Sequence, residues 1–328
     1  MLIETPSRLH LTLIDLNGSI GRVDGGVGLT IQKPQLIIEA ESENEGFKIK
    51  FEESNLSQKL MDDYKDKINN SALKMSEFLN IDSGFRFKVK KTYPAHSGLG
   101  SGTQLSLAVA KLILKLHDKD MNAPQIAKIV GRGGTSGIGV RAFDYGGFII
   151  DGGHNLSEKP DFLPSSASNA SPAPLIAKYN FPEEWDIIMA IPNVPAGASG
   201  QKEINIFQEH CPIPIEEVQK LSHVLLMKMM PAVVEKDIHS FGWAVNKIQD
   251  IGFKKIELDF QDPIINEIIE NMRSEGAAGV GMSSFGPTVY AITDNNTKNI
   301  SKAAQNTMKD VGGKVIITKA QNNGVKLK

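Results

Sequence analysis

The stretch YPAHSGLGSGTQLSLAVAKL, residues 93–112, limits the fold more tightly than any other part of the chain. Ahead of it, FRFKVK alternates Phe85, Phe87 and Val89 with polar residues, the period of a half-buried strand. Pro94 stops that strand, and Gly98, Gly100 and Gly102 let the backbone turn tightly with its N–H groups exposed. Leu105, Ala108, Val109, Leu112 and Leu116 then recur at helical spacing, so the glycine loop empties into a helix N-terminus. The unpaired amides of a first helical turn and the positive end of its dipole attract an anion, most naturally a phosphate, with Ser97, Ser101 and Thr103 as further donors. The loop is not a Walker A motif, because no lysine follows its last glycine. Taken alone, it is explained equally well as a turn that only connects two elements.

With 328 residues the chain exceeds the usual size of one core, which points to two domains. The division falls in SEKPDFLPSSASNASPAPL, residues 157–175, a run dense in Ser, Pro and Ala, so the expected domains are 1–175 and 176–328. RLHLTLI reads as a strand with Leu9, Leu11 and Leu13 on one face, and His10 on the other, toward solvent or into a site. Leu56, Leu60, Tyr64, Ile68, Leu73 and Phe78 suggest an amphipathic helix, and APQIAKIVGRGG a second one, opened by Pro124 and stopped at Gly131. GGFIIDGGH and WDIIMAIP read as strands, and INEIIENM as a helix. Residues 215–253 read as helical with a break near Pro231, and their Met227, Met229 and Met230 as core packing. TVYAIT and KVIIT close the chain as strands, and this mixed order favours an α+β protein.

The net charge of -2 comes from 36 basic and 38 acidic side chains with no long block of either sign, which argues against a nucleic-acid partner. No run approaches the length of a membrane span, and MLIETPSRLHLTL lacks the basic start and apolar run of a signal peptide. Cys211, with only His210 beside it, makes neither a disulfide nor a metal site, which fits a reducing cytoplasm. The expected partners are therefore small molecules, with no membrane, and a homodimer is left open.

PAHSGLGSGTQ resembles the phosphate-binding motif of the superfamily named for galactokinase, homoserine kinase, mevalonate kinase and phosphomevalonate kinase, the GHMP kinases. TPSRLHLTLIDL sits where that superfamily opens with a Pro-Gly-Lys-type strand, and GAAGVGMSSFGPTVYAI resembles its glycine-rich C-terminal motif. The resemblance implies a ribosomal-protein-S5-like N-terminal domain, a ferredoxin-like C-terminal domain, and a substrate cleft between them. One segment departs from the pattern. The kinases usually carry Gly-Ser-Pro-Ser-Gly-Ile-Asp, whose Asp acts on the attacking hydroxyl, whereas GGTSGIGV places Gly139 there. Glycine neither accepts a proton nor orients a hydroxyl, although homoserine kinases also manage without that Asp.

The string GRGGTSGIGVRAFDYGGFIIDGGH, together with GRVDGGVGLTI, GASGQKEINIF and EKDIHSFGWAVNKIQ, resembles a non-kinase archaeal branch, the β-ribofuranosylaminobenzene 5′-phosphate synthases. That resemblance implies the first step of methanopterin biosynthesis. Phosphoribosyl pyrophosphate and 4-aminobenzoate or 4-hydroxybenzoate would give a C-riboside 5′-phosphate, carbon dioxide and pyrophosphate, with Mg²⁺ required. The alternative is an ATP-dependent small-molecule kinase on the same fold.

The residues suit the transferase chemistry, since a departing pyrophosphate needs amides, arginines and a divalent cation and no proton-accepting base. Arg22, Arg132 and Arg141 stand among glycines and offer guanidinium forks, Arg22 toward the aromatic acid or ribose and the other two toward phosphates. Each is equally an arginine type that often lies on a solvated surface. Asp24 and Asp151 are candidates for Mg²⁺ or the ribose hydroxyls, or are turn residues ahead of glycine. His154 is either a group for an acidic ligand or a hydrogen-bonded structural histidine, and Asp144 a surface carboxylate.

Overall fold

The structure is a computed structural model and describes the whole chain except residues 95, 96, 166, 196 and 199. Its first lobe is built on a long hairpin of β1 (Leu2–Asp15) and β2 (Arg22–Glu43). Strand β3 (Phe47–Phe51) passes through helix α1 (Gln58–Leu79) to β4 (Gly84–Lys91), and the two strands pair in parallel, as a helical crossover permits. The glycine loop follows β4 directly and enters α2 (Ser101–Leu116). Helices α3 (Ala123–Val130) and α4 (Ile138–Asp144) come next, then β5 (Phe148–Asp151), β6 (His154–Asn155) and β7 (Leu175–Tyr179). Strand β7 pairs with β5, so the first sheet extends across residue 175.

The second lobe carries β8 (Asp186–Pro192), β9 (Gly279–Met282), β10 (Val289–Thr293) and β11 (Gly313–Thr318). Their order β11-β8-β10-β9, all antiparallel, is the split arrangement of a ferredoxin-like sheet. Between β8 and β9 run α5 (Gln201–His210), α6 (Ile215–Val224), α7 (Met230–Glu235), α8 (Ile238–Ile248), α9 (Gly252–Asp259) and α10 (Pro263–Ser274). Helix α11 (Thr297–Thr307) links β10 to β11, and the last strand, β12 (Lys326–Leu327), returns to pair with β1. No helix of the described residues is long and apolar enough to cross a membrane.

Three packed layers of side chains fix the lobes. On one side of the first sheet, Ile38, Phe85, Phe87 and Val89 pack against Tyr64, Ile68, Leu105 and Val109 of α1 and α2. On its other side, Leu9, Leu11, Val27 and Leu29 share one core with Ile187, Met189, Phe241 and Val245 of the second lobe. The far face of the second sheet closes on α10 and α11 through Ile188, Ala190, Ile268 and Ile300. The lobes are thus joined by a continuous apolar core, and the α+β expectation holds.

Two helical expectations are corrected. In α1 the buried stripe runs Tyr64, Ile68, Ala72 and Met75, while Leu73 and Phe78 point to solvent. Around Pro231 there is no break: a π-helical turn, Leu225–Met229, carries α6 into α7, with Pro231 in the first turn of α7. Proline lacks the N–H and crowds the carbonyl four residues back, and a wider turn relieves both. Leu225 and Met229 are buried, whereas Met227, midway between them in sequence, lies on the outer face at 63% exposure, so Met227 is not core packing.

Candidate active site

Three segments far apart in the chain meet at the glycine loop. Gly98 and Gly100 both have φ in the left-handed region, at 70° and 81°, and Gly100 forms the N-cap of α2 without any side-chain cap. The first-turn amides of α2 are thereby left for a ligand. The carbonyl of Gly98 accepts from Arg8 Nη1 at 2.5 Å and from Ser283 Oγ at 2.9 Å, and that of Ser97 accepts from Thr288 Oγ1 at 2.6 Å. A Cβ on Gly98 would lie 2.5 Å from the Ser283 carbonyl, so the loop and the C-terminal glycine segment require glycine to pack together. Ser97 is buried and its hydroxyl donates to the Pro94 carbonyl, which fixes the loop and points away from any ligand. Ser101, Gly102 and Thr103 stay partly exposed on the first turn of α2.

Arg132 lies against this turn: a Cβ on Gly102 would be 3.6 Å from its guanidinium, and its Nε donates to Ser106 Oγ at 3.3 Å. Burial lowers its pKa from the usual guanidinium value. Gly139 also faces the turn, where a Cβ would meet Thr103 at 3.3 Å, and its carbonyl accepts from Gln104 Nε2 at 2.7 Å. Gly139 thus brings backbone, and no side chain, against the start of α2. Arg8, at the centre of the junction, was not singled out by spacing or glycine context. It stands in a strand that alternates apolar and polar residues, where an arginine reads as a solvated face. Register irregularities in β1 flank this segment, between Thr5 and Ser7 and between His10 and Thr12.

The other expected residues fall elsewhere. Arg22 is exposed and donates to the carbonyls of Gly152 and Gly153 at 2.9 and 3.0 Å, bracing a turn between β5 and β6. Arg22→Ala is therefore expected to leave activity near wild type and to lower the thermal midpoint slightly, which steady-state assays and a melting curve check together. Arg141 extends from α4 to the Ala173 carbonyl at 2.9 Å. Asp144 is half-buried and accepts from the Ala123 amide, so it anchors the start of α3.

Asp24, Asp151 and His154 form a buried polar network behind the 134–138 loop. Lys159, 3% exposed, donates to both Asp24 oxygens at 3.0 and 2.9 Å, to Thr135 Oγ1 at 2.9 Å and to the Leu163 carbonyl at 2.8 Å. His154 Nδ1 is 2.6 Å from Asp24 Oδ2, and its Nε2 is 2.9 Å from the Ser171 carbonyl. Asp151 accepts from the amides of Gly137 and Gly153 at 2.9 and 3.0 Å, and burial pushes its pKa up to about 6 against those donors. Asp24 and Asp151 are thus committed to internal partners, and neither presents an oxygen to an ion. Among the described residues no group of three His, Cys, Asp or Glu side chains is placed to hold a metal. A resident Mg²⁺ does not fit these two carboxylates.

Comparisons with known proteins identify the family. The family models described as GHMP kinases N terminal domain and GHMP kinases C terminal match residues 66–147 and 229–310. The chain is similar to the β-ribofuranosylphenol 5′-phosphate synthase of Methanothermobacter thermautotrophicus, 53% identical over 99% of this chain and 97% of that protein. It is also similar to the protein of the same name from Methanocaldococcus jannaschii, 49% identical over the full length of both. Among solved structures, L. major mevalonate kinase in complex with R-mevalonate superposes with a TM-score of 0.72 at 13% identity, covering 98% of this chain and 96% of that one. Homoserine kinase from Cytophaga hutchinsonii gives 0.69 at 17% identity, covering 99% and 96%. These two likenesses concern the fold, while identity over the whole length reaches further: the chain belongs to the β-ribofuranosylphenol 5′-phosphate synthase family, within the GHMP kinase superfamily.

Proposed function

We propose that this chain transfers a ribosyl 5-phosphate group from phosphoribosyl pyrophosphate to 4-hydroxybenzoate or 4-aminobenzoate, with loss of carbon dioxide and pyrophosphate, as the first step of methanopterin synthesis. The observation that carries the reading is the glycine-loop junction. The uncapped start of α2, Arg8 and Arg132 come together at the loop, and Gly139 brings only backbone against that start. The names of the full-length relatives point the same way.

The chemistry follows from those groups. The bond from the ribose anomeric carbon to the pyrophosphate oxygen breaks with its electron pair leaving on pyrophosphate. The first-turn amides of Ser101, Gly102 and Thr103, which have no side-chain cap, and the two guanidiniums are the groups available to stabilise that charge. The ring carbon bearing the carboxylate supplies the pair for the new carbon–carbon bond, and the carboxylate's own bond returns its pair to the ring as carbon dioxide departs. Mg²⁺ would be carried in with phosphoribosyl pyrophosphate, since among the described residues no group of three His, Cys, Asp or Glu side chains is placed to hold it.

The test is incubation with phosphoribosyl pyrophosphate, Mg²⁺ and carboxyl-labelled benzoate, without nucleotide. Labelled carbon dioxide with stoichiometric pyrophosphate is expected, and excess chelator should stop it. Steady ADP formation from ATP with homoserine, mevalonate or a simple sugar would replace this reading by the kinase alternative.

A further inference from the structure

His10 is 5% exposed, and neither of its ring nitrogens has a hydrogen-bond partner among the described residues. An imidazole buried with both nitrogens unpaired forfeits about 1–3 kcal/mol for each, so a structure retains it where something else supplies the bonds. Its backbone is not loose: His10 N donates to Ser283 Oγ at 3.0 Å, and its carbonyl accepts from Ser284 N at 3.0 Å. The ring is thus fixed at the seam between β1 and the C-terminal glycine segment. Arg8 lies on the glycine-loop side, and its Nε is likewise unpaired. Fully buried Lys254 of α9 also acts on His10, and it donates to Glu257 and to the carbonyls of Met282 and Ser284. Glu257 in turn acts on Glu203, in the first turn of α5.

We propose that His10 is the residue that receives the para-hydroxyl of the aromatic acceptor, taking its O–H in a hydrogen bond to one ring nitrogen. The inference rests on the transferase reading and adds to it the group that selects the acceptor. Burial, with Arg8 and Lys254 nearby, holds the His10 pKa well below the usual imidazole value, so one nitrogen stays without a proton and accepts. Arg8 joins the two halves of the site, since it touches the glycine loop on one side and acts on His10 on the other. Arg8 and His10 are two residues apart in a regular stretch of β1 and so share a face of the strand, the face that Arg8 turns to the loop. A site whose buried polar atom waits for a hydroxyl also rejects an analogue lacking it, because the atom then stays unpaired.

The experiment measures binding and needs no turnover. Calorimetry on the full chain, with pyrophosphate and Mg²⁺ present, compares 4-hydroxybenzoate with 4-fluorobenzoate, which is similar in size but has no proton to donate. Wild type is expected to favour the hydroxy acid on the order of 10-fold. His10→Ala should bind both acids alike and keep its pyrophosphate affinity within about 2-fold, while His10→Asn, which retains an acceptor, should recover part of the preference. A melting curve for each variant confirms folding. The proposal is overturned by a wild type that binds no aromatic acid or shows no preference, by a His10→Ala that keeps the preference, or by equal loss of pyrophosphate affinity, which would place a phosphate or ribose at His10. Selective binding without carbon dioxide release would instead remove the transferase reading and leave this assignment standing.

Discussion

Asp24→Asn is expected to lower the stability of the folded chain by about 3–5 kcal/mol, a large effect for a change that removes no volume. Asp24 is the only carboxylate within hydrogen-bond reach of Lys159 among the described residues, and Lys159 is 3% exposed. The amide would keep an oxygen near the ammonium but remove the charge that balances it, leaving a buried cation to be desolvated alone. Burial already lowers the Lys159 pKa, and Asp24 acts against that. The damage would spread, because Lys159 also holds Thr135 and Leu163, and Asp24 contacts His154. Equilibrium unfolding of the intact chain measures the loss. Replacing Lys159 by Met in the Asp24→Asn background should recover most of it, since a packed hydrophobe of similar length leaves no stranded charge. A loss under about 1 kcal/mol for Asp24→Asn would mean that the network tolerates the cation without its partner.

The same network carries little local sequence signal. Segment 157–175 reads as a domain boundary or long exposed loop because Ser, Pro and Ala carry no period, yet Lys159 within it is a buried tie between β2 and the 134–138 loop. A long charged side chain in an irregular run gives no hint of burial. Strand β2 was missed for a related reason, since GGVG suppresses the strand signal. The glycines are there because a Cβ on Gly26 would meet Asp151 and Ser136, and one on Gly28 would run into Ile138. In contrast, the loop and α2 were legible, because glycine, proline and a helical stripe act through local backbone geometry. The capping box of Asn122 and Gln125 and the left-handed Gly131 likewise bound α3 where the sequence placed it. What stayed hidden was the pairing of distant partners. Arg8 and His10 become site residues only when Ser283 and Thr288, nearly two hundred positions beyond the loop, close on it.

That closure sets the effect of the most damaging single change in the loop. Gly100→Val is expected to reduce kcat/KM by at least 10²- to 10³-fold, the scale on which losing preorganised donors at a developing charge is felt. Gly100 has φ 81°, which costs an L-residue roughly 1–2 kcal/mol and suits a β-branched one least. Its Cβ would also lie 3.1 Å from the Arg8 guanidinium, so valine would drive Arg8 from the Gly98 carbonyl and shift the first turn of α2. The fold should persist, because Gly100 is partly exposed and lies outside both apolar cores. Arg132→Ala provides the comparison: it removes a cation beside the loop and leaves the amides in place, so kcat should fall while the thermal midpoint holds, and Arg132→Lys should recover part of the rate. The measurements are kcat, KM for each substrate, phosphoribosyl pyrophosphate affinity and a melting curve for all three variants. Unchanged affinity in folded Gly100→Val would reduce the loop to a connector between β4 and α2. Near-wild-type kinetics in both Gly100→Val and Arg132→Ala would move the phosphate position away from this helix altogether.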